Sequence, residues 1–353
     1  RDRNCMRALV LEKPKDYRCE EIEKPKIKSD EVLLRVLSSG ICVNDVRDYQ
    51  GNERSLPRIG GHEYSAVVEE TGVDVDPDLI KVGDHVIPYI IDNCGICYDC
   101  KHGHENICGP FTKGIAYDNP NGYSGFFGFE DYSVVPARRL HVYPKETPDD
   151  EAAMTEPLAC VINSIQRCHI GMGDDVIVIG GGTMGMLHVL CAKKQGARVI
   201  LSETDAARRK FGLELGADIV INPLESDPVE QVKALTNGRG ANMVFNTTAI
   251  PAVAAQAIEM TAKSGYCNMF SSIHPNDPIL VNAGRLHSQE IYVTGTQNGT
   301  IETFQRAIDC ISKRIIDVRP LIDKKFKPED VKDAMEYASR PDTFKCMFVF
   351  SED

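Results

Sequence analysis

An α/β protein with a β-rich opening half and a parallel-sheet domain is predicted, and three observations predict it. The first roughly 150 residues are rich in valine, proline and glycine, with short runs such as EVLLRVLSSG, SAVVEETG and DHVIPYI broken by turn residues, a pattern that reads as strands of a compact barrel-like domain. Beyond it, DDVIVIGG, ARVILSE, ADIVINP, ANMVFNTT, YCNMFSSI and EIYVTGT recur at fairly even spacing. MLHVLCAKKQG and AARRKFGLELG fall between them with helical periodicity. Strands alternating with helices imply a parallel sheet covered on both faces. Third, the tail reads as two helices, ETFQRAIDCISKRI and PEDVKDAMEYASRP, closed by a strand, KCMFVF.

The totals exclude several functions. At 353 residues, two or three domains can each bury a core. A formal net charge of −12 argues against nucleic acid or an anionic membrane as partner. No apolar run approaches the roughly 18 residues a membrane span requires. The stretch RDRNCMRALVLEKPKD lacks the apolar core of a secretory signal, so a soluble, cytoplasmic protein is expected. In that setting 13 cysteines are more readily thiols and metal ligands than a disulfide framework.

The most informative stretch is DDVIVIGGGTMGMLHVLCAKKQGARVILSE. Gly180, Gly182 and Gly185 form G-x-G-x-x-G after a strand and at the start of a helix, the arrangement that lets a backbone approach a pyrophosphate. Thr183 and Met184 lie inside this turn, and Thr247 ends the strand ANMVFNTT; all three are expected around a dinucleotide. Glu203, closing the next strand, is placed to accept hydrogen bonds from an adenosine ribose and to repel a 2′-phosphate, which favours NAD over NADP. Arg208 and Arg209 lie close by and weigh the other way, unless they only face solvent.

Cys94, Cys97, Cys100 and Cys108 have the spacing C-x2-C-x2-C-x7-C. Three close thiolates and a fourth after a loop can enclose a tetrahedral Zn2+ with no open position. An iron–sulfur cluster is the alternative, although the fourth cysteine comes late for that pattern. His102 and His104 could replace a thiolate but read as loop residues. A second, different site is spread over SSGICVNDVRDYQG, RIGGHEYSAVV and MTEPLAC. Cys42, His62 and Glu156 supply one thiolate, one imidazole and one carboxylate, a set that leaves Zn2+ a free fourth position.

GHE at 61–63, the four-cysteine loop, EPLA at 156–159 and GGGTMG at 180–185 occur in an order and at distances that resemble the zinc-dependent medium-chain dehydrogenase/reductase superfamily. The resemblance spans essentially the whole chain. A glutamate in EPLA, where classical alcohol dehydrogenases have a cysteine, makes it most similar to the polyol and threonine dehydrogenase branch. The resemblance implies a chaperonin-10-like catalytic domain over 1–156, with a structural zinc lobe at 94–108. It implies a Rossmann NAD-binding domain over 157–297 and a return to the catalytic domain over 298–353. It implies two zinc ions per chain: a structural one on the four cysteines and a catalytic one on Cys42, His62 and Glu156. Glu63 is implied either as a further ligand or as a group behind one, and Asp45 as the acceptor that orients His62. The implied chemistry is acidification of a bound alcohol by the metal and hydride transfer to NAD. A homotetramer or homodimer is likewise implied.

Three departures bear on the substrate. Asn44 stands where many relatives have a serine or threonine that relays the alcohol proton, so Glu63, Glu156 or a water is expected to take that role, or Asn44 to contact a substrate hydroxyl. Ala66 replaces a common glycine. TGTQNGT at 294–300 lacks the arginine that sorbitol dehydrogenases carry nearby, leaving Gln297 and Asn298 as candidate hydroxyl binders. The expected substrate is a secondary alcohol of a polyol, sugar derivative or cyclitol, with a threonine-like amino alcohol as the nearest alternative. A non-catalytic dinucleotide-binding relative and a zinc-module interaction protein are the readings from other classes.

Overall fold

A computed structural model describes residues 4–52, 55–109 and 121–350. The chain divides into two compact units, Arg1–Pro157 with Thr300–Asp353, and Leu158–Gly299. Among the described residues no helix is long and apolar enough to cross a membrane.

The first unit is β-rich. Its larger sheet has seven strands, six of them in line and the seventh, Tyr132–Pro136, paired to Glu31–Gly40, which lies between Glu63–Thr71 and Lys345–Val349, both antiparallel to it. A smaller four-stranded sheet is built on Cys5–Lys13 and Asp16–Glu23. Alternation sends Leu9, Leu11, Leu34, Val36 and Phe348 into one core with Phe129, all 1 % exposed or less. The last strand therefore completes the sheet that the first half of the chain begins. In doing so it brings residue 345 alongside residues 40 and 63.

The second unit is a six-stranded, wholly parallel sheet in the order Ile219–Ile221, Arg198–Ser202, Asp175–Ile179, Ala241–Asn246, Thr261–Met269, Tyr292–Gly295. In strand sequence this is 3-2-1-4-5-6, the doubly wound order, in which the chain reverses direction beside Asp175–Ile179 and ligands bind beyond the strand ends. Asp175–Ile179 is buried throughout, as a strand covered on both faces must be. The helices Thr183–Lys194, Ala206–Glu214, Pro228–Leu235 and Pro251–Met260 connect the strands. The predicted α/β class and parallel sheet are thus borne out.

Candidate active site and metal centres

The turn after Asp175–Ile179 is shaped by its glycines. Gly180 has φ +99°, open to glycine without strain, and a Cβ on Gly185 would lie 1.8 Å from the Gly180 carbonyl oxygen. Gly182 is the N-cap of helix Thr183–Lys194, so Thr183 and Met184 form its first turn with their N–H groups facing the loop. Thr247 closes the other side, its hydroxyl donating to the Ile179 carbonyl at 2.8 Å. Glu203 is buried and already engaged: its carboxylate accepts from the Gly181 N–H at 2.6 Å, the Asp205 N–H at 2.8 Å and the Thr204 hydroxyl at 3.0 Å. The two arginines part company. Arg209 donates to the carbonyls of Glu203 and Thr204, whereas the Arg208 guanidinium lies over the loop, 3.9 Å from where a Gly182 Cβ would sit. In the 294–300 segment, Asn298 has φ +55° and its carbonyl accepts from the Asn163 amide at 2.7 Å.

Cys94, Cys97, Cys100 and Cys108 converge, their sulfurs all within 4.8 Å of one another. Cys108 is fully buried, with its sulfur 3.7 Å from that of Cys94 and 3.9 Å from that of Cys97. Zinc–sulfur bonds of about 2.3 Å in a tetrahedron place sulfurs about 3.8 Å apart, so the four fit one zinc ion. These separations are far beyond a disulfide bond. They are also too short for thiolates spread over the separate irons of a larger cluster. Backbone N–H groups of Ile96 and Cys97 point at Cys94 and draw its thiol down to about 6, favouring the thiolate a metal requires. His102 is turned away, its Nδ1 against the Tyr98 carbonyl at 2.7 Å.

The second centre is built where three strands meet a short helix. Cys42 is the N-cap of helix Val43–Gln50, which carries Asn44 and Asp45, and His62 immediately precedes strand Glu63–Thr71. Cys42, His62 and Glu63 bring one ligand atom each within 4.8 Å of the others. Glu156, in the first turn of helix Thr155–Cys168, is buried but stands outside that cluster. Burial alone would lower the pKa of His62, but Cys42 foremost, then Glu156 and Asp45, raise it to about 10. The surroundings therefore call for a cation. Among the described residues His62 Nδ1 is buried with no hydrogen-bond partner, an orphaned nitrogen of the kind an absent group leaves behind. A thiolate, an imidazole and a carboxylate in an anionic pocket fit zinc.

Asp45 does not do what the resemblance implied. No described hydrogen bond joins it to His62. Its carboxylate accepts instead from the N–H of Cys42 at 2.9 Å and of Gly61 at 3.3 Å, because its place at the third position of the helix aims it back at the N-cap. Asn44 accepts from the Arg47 guanidinium at 3.5 Å. Sequence reasoning also missed Lys345. It is buried, and its Nζ donates to Glu63 Oε2 at 2.5 Å and to the Ile41 carbonyl at 3.2 Å. The available signal was a single charge opening the otherwise apolar strand KCMFV.

A glycine-rich dinucleotide turn together with a zinc-competent thiolate–imidazole–carboxylate set defines a metal-assisted nicotinamide dehydrogenase. The comparisons agree. Residues 28–145 match the alcohol dehydrogenase GroES-like domain and residues 183–313 the zinc-binding dehydrogenase family. The chain is 31 % identical to an L-threonine 3-dehydrogenase of Thermococcus kodakarensis over 97 % of both chains. It is 28 % identical to a sorbitol dehydrogenase of Bacillus subtilis over 94 % of this chain and 93 % of that one. Among solved structures, an alcohol dehydrogenase of Escherichia coli CFT073 in complex with NADH superposes with a TM-score of 0.88 at 25 % identity, covering 98 % of this chain and 99 % of that one. The chain belongs to the zinc-dependent medium-chain dehydrogenase/reductase superfamily and is a zinc-dependent oxidoreductase that uses a nicotinamide coenzyme.

Proposed function

We propose that the chain oxidises a secondary alcohol of a polyol, sugar derivative or cyclitol with NAD, or runs the reverse carbonyl reduction. The observation that supports this most is the Cys42–His62–Glu63 cluster, with His62 and Glu63 buried and Cys42 half-buried, whose three protein ligand atoms leave a fourth zinc position for a hydroxyl. Glu156 stands near enough to act on His62 electrostatically and is the reserve carboxylate of the site. Zinc bound there supplies a Lewis acid that makes the substrate hydroxyl acidic.

The chain's own groups do the rest. Asn44 has an amide but no hydroxyl to relay a proton, so Glu156 accepts the alcohol proton while the Asn44 amide orients a neighbouring substrate hydroxyl. The amide N–H groups around Gly182, Thr183 and Met184 take the coenzyme pyrophosphate, and Glu203 takes the adenosine ribose in place of its present backbone donors.

A threonine-like amino alcohol is the second reading, favoured by the 31 % identity to L-threonine 3-dehydrogenases. NADH formation against a panel of polyols, cyclitols, L-threonine and simple secondary alcohols separates the two. Turnover of a polyol or cyclitol, abolished by chelation, supports the first; turnover of L-threonine alone replaces it with the second. Silence across the panel in protein loaded with two zinc ions and able to bind NAD would remove both.

A further inference from the structure

Gly40 pairs with Glu63 on one neighbouring strand and with Met347 on the other. A Cβ on Gly40 would come within 2.6 Å of Glu63 Oε2 and 3.2 Å of Lys345 Cδ. The bare backbone at Gly40 is thus the gap through which two long side chains meet. Lys345 lies two residues from Met347 and so on the same face of its strand. It crosses that gap to place its Nζ 2.5 Å from Glu63 Oε2, with a second bond to the carbonyl of Ile41, the residue before Cys42. The two side chains are 5 % and 2 % exposed.

This pair has a consequence for the metal. A carboxylate can bind zinc through one oxygen or through both. With Cys42 and His62 as the other ligands, two-oxygen binding by Glu63 would fill the fourth position and leave none for a substrate. We propose that Lys345 is a positioning residue that holds Glu63 Oε2, restricts Glu63 to a single oxygen toward the metal and so keeps the fourth position open. Release of Glu63 from Lys345 would leave an ammonium buried without its counter-charge, which is strongly unfavourable. Gly40 is part of the device, because any side chain there would separate the pair. The inference rests on the catalytic zinc site proposed above.

The test reads the metal and not turnover. Co2+ is exchanged into the Cys42–His62 centre, and its visible ligand-field bands are recorded alone and during titration with imidazole, a one-atom probe of the open position. In the unaltered protein, imidazole binds and shifts the bands. Lys345→Met is expected to shift the cobalt bands, because a second carboxylate oxygen takes the fourth position, and to weaken imidazole binding about tenfold, whereas Lys345→Arg stays within about twofold. Glu63→Asp in the Lys345→Met background, whose shorter carboxylate reaches the metal through one oxygen at most, is expected to restore the probe. Unchanged cobalt bands and imidazole affinity in Lys345→Met would overturn the proposal. Should that variant fail to fold, the unaltered protein still decides: cobalt that binds at this centre but refuses imidazole overturns the open position. Failure of cobalt to enter the centre at all in the unaltered protein would instead overturn the zinc site itself, and this inference with it.

Discussion

The carboxylate of Asp45 accepts the N–H of Gly61 at 3.3 Å with one oxygen while the other holds the N–H of Cys42 at 2.9 Å. One buried side chain thereby joins the backbone just before His62 to the backbone of Cys42, setting the separation of two candidate ligands that are distant in sequence. Asp45→Ala leaves two N–H groups short of an acceptor in a buried setting. It is expected to cost about 2 kcal/mol of stability. Displacement of supporting groups behind metal ligands typically weakens binding 10–100-fold, so zinc at this centre should be lost to a mild chelator while the cysteine lobe keeps its own. Metal analysis before and after dialysis, with a thermal melt, checks both halves; equal retention at both centres would show that Asp45 is only a helix cap.

The cysteine lobe should behave independently of the dinucleotide turn. Cys108 is its one fully buried ligand, in contact with the sulfurs of Cys94 and Cys97. Cys108→Ser is expected to remove one zinc per chain and open residues 94–108 to limited proteolysis, because a closed structural site supplies folding energy to its loop. NAD affinity, measured by fluorescence titration, should stay within about twofold. A variant that keeps all its zinc would show that three thiolates and another donor suffice.

Legibility in the sequence followed locality. The cysteine spacing and the glycine triplet are short-range patterns whose geometry is imposed within a few residues, and the alternation of strands and helices revealed the parallel sheet. What could not be read were relations made only by sheet closure. Lys345 meets Glu63 across 282 residues because the last strand inserts beside Glu31–Gly40, and no local pattern announces that register. Nor could the sequence separate Arg208 from Arg209. On a helix adjacent residues point about 100° apart, and here one turns back to the carbonyls of Glu203 and Thr204. Asp45 was misread for a related reason: its role depends on which of two nearby donors the helix start points it toward.

Glu203 combines two functions that substitution should expose. Its carboxylate braces the glycine turn through the Gly181 N–H at 2.6 Å and carries the charge expected to exclude a 2′-phosphate. Glu203→Gln keeps an oxygen acceptor and removes the charge. It is expected to lower stability by about 1 kcal/mol, because its amide nitrogen replaces one of the two oxygens that accept the Gly181 and Asp205 N–H groups, and to narrow the NAD:NADP ratio of kcat/KM by about tenfold or more. Glu203→Ala should narrow the ratio similarly and also lower stability by about 1–3 kcal/mol, since the Gly181 and Asp205 N–H groups lose their acceptor. A Glu203→Gln enzyme with undiminished preference for NAD would assign the selectivity elsewhere.

His188 gives the parallel-sheet unit a defined acid sensitivity. It lies fully buried between the rings of Phe245 and Phe270, with Nδ1 2.8 Å from the Met184 carbonyl and Nε2 2.9 Å from the Ser164 hydroxyl. A carbonyl only accepts, so Nδ1 carries the proton and Nε2 accepts from Ser164. Burial pushes the pKa down to about 4, so the native ring stays neutral where the unfolded chain, at about 6.5, takes up a proton. The unfolded state therefore binds more protons between those values, and stability falls as pH drops through that window. Between pH 7 and pH 5 this group alone should cost about 2 kcal/mol. His188→Asn retains a donor toward Met184 but cannot titrate; it should be less stable at pH 7 through lost ring packing, yet lose about 2 kcal/mol less than the unaltered protein on going to pH 5. Urea unfolding of both proteins at the two pH values measures the difference. Identical pH dependence would mean that His188 is reached by protons in the native state.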